Sequence, residues 1–165
     1  MELFLMRHAE AESPALYAED RQRPLTERGY QRQQQTVRVL APLLQPLDHL
    51  LTSPILRARQ TADIAASSVT CATPVAETPI LADACTPGAV LKLLQDYAQD
   101  ARILCVGHQP HMSHLAAVFL DGEGRSQVAF QPGSVLGITF PGHPMPGRGV
   151  LRFFLQPADV LQLSG

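Results

Sequence analysis

The chain has 165 residues, 45% of them apolar and 17% charged, and a formal charge of −2 at pH 7. That length suits one compact domain over residues 1–165, and the apolar content is too high for a disordered tail. A near-neutral charge with no Lys/Arg-rich run excludes a nucleic-acid footprint, so any anionic ligand must be met by a local cluster of cations.

The opening apolar run, Leu3 to Met6, is cut short by Arg7 and His8, which is not a signal-peptide pattern. No stretch approaches the roughly 18 apolar residues of a membrane span, so a cytoplasmic protein with no membrane partner is expected. Cys71, Cys85 and Cys105 are odd in number and lack CxxC spacing, which reads as small buried residues in a reducing compartment.

In chain order, Glu2–Met6 reads as a short strand, too continuous in its apolar character for an amphipathic helix. Thr26 can cap a helix to about Leu44, with Glu27 favoured in its first turn and Tyr30, Val37, Leu40, Ala41 and Leu44 on one face. His49–Thr52 reads as a second strand, with Pro54 in the first turn of a helix reaching about Ala66. Thr86-Pro87 opens another helix, in which Val90, Leu91, Leu94, Tyr97 and Ala98 follow at helical spacing. Arg102–Gly107 is a buried strand that ends at His108, and Pro110 opens a helix to about Leu120. Ser134–Phe140 and Val150–Leu155 read as two final strands, a hairpin across the Pro/Gly-dense stretch Pro141–Gly149.

The order β-α-β-α-(β)-α-β-α-β-β predicts a three-layer α/β/α sandwich with a mostly parallel central sheet. Ligands of such sheets sit beyond the carboxyl ends of the strands. Arg7-His8, Ser53-Pro54 with Arg57, and His108 each follow a predicted strand end and should converge there.

These segments carry a resemblance. Arg7-His8-Ala9 looks like the signature of the histidine phosphatase superfamily, which includes phosphoglycerate mutases and acid phosphatases. Arg23 to Gly29 (RPLTERG) resembles the segment that opens that family's first helix. Ser53 to Ala62 (SPILRARQTA) resembles its second arginine motif, and Val106 to Pro110 (VGHQP) its second histidine motif. The similarity runs in order over residues 2–118, and the short length without a large inserted cap is most similar to the SixA-type phosphohistidine phosphatases. It implies a phosphoglycerate mutase-like fold and a phosphatase working through a phosphohistidine on His8. It further implies a phosphorylated protein as substrate, such as a histidine phosphotransfer domain. A phosphatase of small phosphate monoesters is one alternative, and a non-catalytic phosphate-binding protein is another.

The residue chemistry agrees with this. A phosphoryl group in transit spreads negative charge over its equatorial oxygens, so catalysis is positioning plus fixed positive charge. Arg7 and Arg57 supply planar forks of donors that suit phosphate bidentately. His8 is the expected nucleophile, and a backbone carbonyl holding its Nδ1–H would present Nε2. His108 is expected to donate to the same oxygens as an imidazolium, which gives the two histidines opposite protonation preferences. Two arginines and one imidazolium supply the counter-charge, so no metal or cofactor is required.

An alcohol leaving group would need a general acid, for which Glu77 and Asp83 are the candidates, although both read more readily as solvated carboxylates. That weak acid signal favours phosphohistidine, whose departing imidazole is easily protonated by solvent. Glu10, Glu12, Ser13, Asp20 and Arg21 fall in the loop after His8 and are read as rim residues. Ala11 to Arg23 is the one connection long enough to act as a closing loop. Arg59, two positions after Arg57, should point away. His108, His111 and His114 stand at steps of three, which on a helix spread over about 120°, so His111 and His114 read as pocket-edge residues rather than metal ligands. Gln109 and Gln131 stand where SixA-like relatives are expected to carry charge.

Overall fold

Alternation along the first strand decides the layers. In the computed structural model, which describes residues 1–163, β1 (Glu2–Arg7) buries Leu3 and Leu5 in one apolar cluster and Phe4 and Met6 in the other. A strand covered on both faces is the reason this run is continuously apolar. β4 (Arg102–Gly107) repeats the division, with Ile103 and Cys105 on one side and Leu104 and Val106 on the other.

Six strands form one sheet in the order β3-β2-β4-β1-β5-β6, where β2 is His49–Thr52, β3 Ala76–Glu77, β5 Val135–Thr139 and β6 Val150–Leu155. The first four are parallel; β5 runs antiparallel to β1, and β6 antiparallel to β5. Helices α1 (Glu27–Leu44), α2 (Leu56–Ala66) and α5 (Pro157–Leu163) cover the Phe4 face. Helices α3 (Pro87–Leu94) and α4 (His111–Asp121) cover the Leu3 face. The expected three-layer α/β/α sandwich is therefore present, with a mixed and mostly parallel sheet. Among the described residues no helix is long and apolar enough to cross a membrane.

Local chemistry explains where helices begin. Thr26 accepts from Gly29 N at 2.8 Å and Thr86 from Ala89 N at 3.2 Å, the two caps expected from sequence. Pro54 is a correction: α2 starts at Leu56 with Ile55 as its N-cap. The Ser53 hydroxyl accepts from Ile55 N at 3.2 Å and builds a turn where the helix was expected. Pro110 stands at the N-cap of α4 and opens that helix as expected. α3 ends at Leu94, so Tyr97 and Ala98 lie outside it. Tyr97 instead packs its ring on His49, centroids 4.6 Å apart, and Ala98 O accepts from Ala101 N in the turn that leads into β4. α5 had no counterpart among the expected elements.

One glycine is fixed by close approach. Gly29 in the first turn of α1 lies against the loop after His8, and a Cβ there would stand 2.2 Å from Glu10 O. Gly29→Ala is expected to cost about 2 kcal/mol of stability, because backbone has to move on one side or the other. Chemical denaturation of the variant against wild type measures it.

Candidate active site

Adjacent parallel strands bring the two histidines together. Arg7 pairs with Gly107 at the ends of β1 and β4, and His8 and His108 each follow by one residue. His8 N donates to Gly107 O at 2.9 Å, which carries the ladder one bond past the strand. Both imidazoles are buried, with ring centroids 5.1 Å apart and planes tilted by 54°. The end of β2 delivers Ser53, and the first turn of α2 delivers Arg57, also buried. The structure thus gathers Arg7, His8, Arg57 and His108, as topology led one to expect.

Hydrogen bonds orient each group. His8 Nδ1 lies 2.7 Å from Ala9 O, and a carbonyl only accepts, so Nδ1 carries the hydrogen. The lone pair of Nε2 then faces Arg57 Nε–H at 3.3 Å. The same guanidinium donates to Asp20 O at 2.8 Å and to Asp20 Oδ2 at 2.9 Å. Thr61 ties the two segments together, accepting from Ala9 N at 3.1 Å and donating to Arg57 O at 2.7 Å. Arg7 donates to Phe130 O at 2.8 Å, and its Nε is buried without a partner. His108 Nε2 lies 2.8 Å from Ser53 Oγ, and its Nδ1 is likewise buried and unpartnered. Two buried nitrogens with unmet demand beside a cluster of cations suit an anion rich in acceptor oxygens.

Burial lowers the pKa of His8 to about 3, with the charges of His108, Arg57 and Arg7 adding to the effect and the Ala9 carbonyl opposing it. Burial also brings His108 down to about 4, helped by Arg57 and His111 and opposed by Asp83 and Asp20. Without a bound anion these shifts favour two neutral histidines at pH 7, whereas the imidazolium expected on His108 belongs to the phosphoryl-bound site. Arg7 is lowered by burial. Burial would raise Asp20, but Arg57 and Arg23 outweigh it and hold the carboxyl below its ordinary value.

These shifts make stability depend on pH. Unfolded histidine takes up a proton near pH 6.5, whereas His8 and His108 in the fold resist it until about pH 3 and 4. Their contribution is complete above about pH 6.5 and is lost as the pH falls toward 4, by about 3 kcal/mol for each histidine. Thermal unfolding between pH 7 and 4 should show this loss, and His8→Asn or His108→Asn should flatten it. Equal slopes in all three proteins would contradict it.

The remaining candidates divide. Asp83 pairs with Arg21 on the exposed side of the loop, yet its charge reaches His108, so it belongs to the mouth of the cage. Glu77 is paired with Arg59 at 2.9 Å, and Arg59 also holds Asp63 at 2.9 Å, which places both outside the cage as far as their contacts go. Glu10 makes a long pair with Arg28 at 3.9 Å, and Ser13 caps the short helical turn Pro14–Leu16. Glu12 offers its carbonyl to Arg23 at 3.0 Å. Gln109 donates to Ser113 Oγ at 2.6 Å, and Gln131 O accepts from Ser134 N at 3.0 Å, its N–H going to Gln156 Oε1 at 3.2 Å. His111 and His114 both lie on α4. Among the described residues no group of three or more His, Cys, Asp or Glu is arranged to hold a metal ion.

Asp20, Ser53 and Thr61 are the contributions that sequence reading missed. Asp20 was read only as a rim residue, and Ser53 was expected at the converging strand ends but given no role there. For Thr61 the available signal was its place four positions after Arg57, the helical spacing that lets its hydroxyl reach Arg57 O.

The model of the histidine phosphatase superfamily (branch 1) matches residues 3–86 of this chain. An uncharacterised protein of Picosynechococcus sp. strain PCC 7002 is 36% identical over 144 residues, covering 84% of each chain. The phosphohistidine phosphatase SixA of Escherichia coli K12 is 26% identical over 162 residues, 97% of this chain and 96% of that one. A solved structure of the protein histidine phosphatase SixA complexed with tungstate matches with a TM-score of 0.84 at 25% identity, over 97% of this chain and 99% of that one. A phosphoserine phosphatase from Entamoeba histolytica, solved with 3-phosphoglyceric acid, shares the fold at a TM-score of 0.69 and 19% identity, over 93% and 95% of the chains. The chain belongs to branch 1 of the histidine phosphatase superfamily and is similar along its length to the SixA-type enzymes.

Proposed function

We propose that this chain is a phosphatase that takes a phosphoryl group onto His8 and passes it to water, and that its substrate is phosphohistidine on a protein. The observation that carries the reading is His8 itself: Ala9 O holds Nδ1–H, so Nε2 faces the cationic cluster with its lone pair. Pure phosphate binding makes no use of a nucleophile aimed in this way, which counts against a non-catalytic binding protein.

In the first step a bond forms between His8 Nε2 and phosphorus while the bond from phosphorus to the leaving nitrogen breaks. The departing imidazole takes its proton from water. In the second step a water oxygen attacks phosphorus and gives up a proton to solvent, which returns the one taken in the first step; the bond to Nε2 breaks, and phosphate leaves. Arg7, Arg57 and His108 donate to the phosphoryl oxygens in both steps, in a fixed array that costs no reorganisation when charge shifts. The phosphoryl oxygens compete with Asp20 for the Arg57 donors, so substrate binding shifts the loop around Asp20.

Three features support a protein substrate. SixA resembles this chain over nearly its full length, in sequence and in structure. Asp83 is engaged by Arg21, and Asp20, the carboxylate bonded to the cage, by Arg57 and Arg23, so neither stands free to protonate an alcohol. A groove of about 430 Å³ lined by Gln109, Pro110, Ser113, Gln127 and Val128 begins at the residue after His108, which suits an extended partner surface. A small phosphate monoester is the second reading, favoured by the electrostatic reach of Asp83 to His108.

The test is a side-by-side assay of a phosphohistidine protein, phosphoramidate and a panel of phosphate monoesters. The phosphohistidine protein is expected to turn over fastest. A clear preference for monoesters would overturn the substrate and leave the chemistry at His8 standing.

A further inference from the structure

Ser53 follows β2 and is fully buried, and no step of the proposed reaction uses its hydroxyl. A serine hydroxyl has one hydrogen to give and two lone pairs to receive. Ile55 N–H occupies one lone pair at 3.2 Å, and the other close contact is His108 Nε2 at 2.8 Å. The 2.8 Å contact can run in either direction. If Nε2–H donated to Ser53, the hydroxyl would receive twice and its own hydrogen would have no acceptor among the contacts of the described residues. Leaving that hydrogen unmet in a dry interior is costly. If the hydroxyl donates to a bare Nε2, every group at Ser53 is satisfied. A neutral imidazole with a bare Nε2 carries its hydrogen on Nδ1, the buried His108 nitrogen that has no partner in the protein.

We propose that Ser53 is a positioning residue that fixes His108 as the Nδ1–H tautomer, so that a neutral imidazole offers an N–H donor to the phosphoryl group. The inference rests on the phosphatase reading of the cage. It also removes a difficulty there: burial beside Arg57 keeps His108 uncharged, and the selected tautomer donates without needing a second proton. Ser53 thereby links the strand end of β2 to the histidine at the end of β4, its neighbour in the sheet.

The experiment uses the full chain labelled with ¹⁵N-histidine at pH 7, read by long-range ¹H–¹⁵N spectra that separate protonated from bare ring nitrogens. Wild-type His108 is expected to show Nδ1 protonated and Nε2 bare. Ser53→Ala should show a mixture of tautomers, bind inorganic phosphate about tenfold more weakly and turn over phosphoramidate about tenfold more slowly. His8 should still become phosphorylated in that variant, and Ser53→Thr should restore the single tautomer. An Nε2–H tautomer or an imidazolium in wild type would overturn the proposal, and that measurement decides it even if Ser53→Ala fails to fold. Ser53→Ala with an unchanged tautomer and unchanged phosphate affinity would also overturn it. Absence of a phosphoramidate-derived label on wild-type His8 is a different failure, that of the phosphatase reading, because the tautomer is read without any turnover.

Discussion

Replacing His8 by alanine is expected to lower turnover of phosphoramidate by about 10⁴-fold or more and to abolish the acid-labile, base-stable phosphoenzyme. The side chain has one role that no neighbour can assume. His108 is the other imidazole within reach, but its Nε2 is engaged by Ser53 and no carbonyl holds its Nδ1. The variant should still bind inorganic phosphate within a few-fold of wild type, because Arg7, Arg57 and His108 are untouched. Loss of chemistry with retention of anion binding is the signature of a missing nucleophile, as distinct from a collapsed site. Wild-type turnover by His8→Ala would sink the nucleophile assignment.

Arg57→Ala is the second large effect, expected at about 10³-fold in kcat/KM. One guanidinium meets His8 Nε2, the Asp20 carbonyl and the Asp20 carboxylate, so its removal does three things at once. It deletes a donor to the phosphoryl oxygens, frees the His8 ring to turn, and releases the loop that carries Asp20. It also removes one of the charges that depress His8, so the acid limb of the activity profile should move upward in pH. Arg57→Lys restores a point charge without the planar fork and should recover only part of the loss, settling about 10²-fold below wild type. Steady-state kinetics of the two variants from pH 4 to 8 separate these contributions. Activity of Arg57→Ala within tenfold of wild type would contradict the arrangement of the cage.

The layers and the cage were legible in the sequence because both follow from short-range patterns. The runs at Leu3–Met6 and Ile103–Val106 are apolar without alternation since each strand is covered on both faces. Arg7-His8 and His108 come just after those runs, and parallel pairing carries them to the same edge. The errors arose where a side chain competes with a general preference. Proline favours the first turn of a helix, yet the Ser53 hydroxyl binds Ile55 N and delays α2 past Pro54. Helical spacing continues through Tyr97 and Ala98, but Tyr97 stacks on His49, a partner from a distant strand that periodicity cannot reveal.

Within the site, Asp20 was missed because its tie to Arg57 spans 37 positions and depends on how the loop after His8 folds back. The charge of His108 in the empty cage was beyond the sequence for a related reason. Whether an imidazole holds a proton depends on how much water reaches it, and burial is a property of the assembled layers.

The bond from His8 N to Gly107 O has one more consequence. Because it extends the pairing of two central strands, the gap between the imidazoles is inherited from the spacing of neighbouring backbones, about 4.8 Å. The sheet sets this backbone spacing, while Ala9 O, Arg57 and Ser53 set how each ring is turned. A reacting pair carried on loops would breathe by itself. Opening that pairing would part the strand ends that carry both histidines, so the backbone spacing of the pair is tied to the stability of the central sheet.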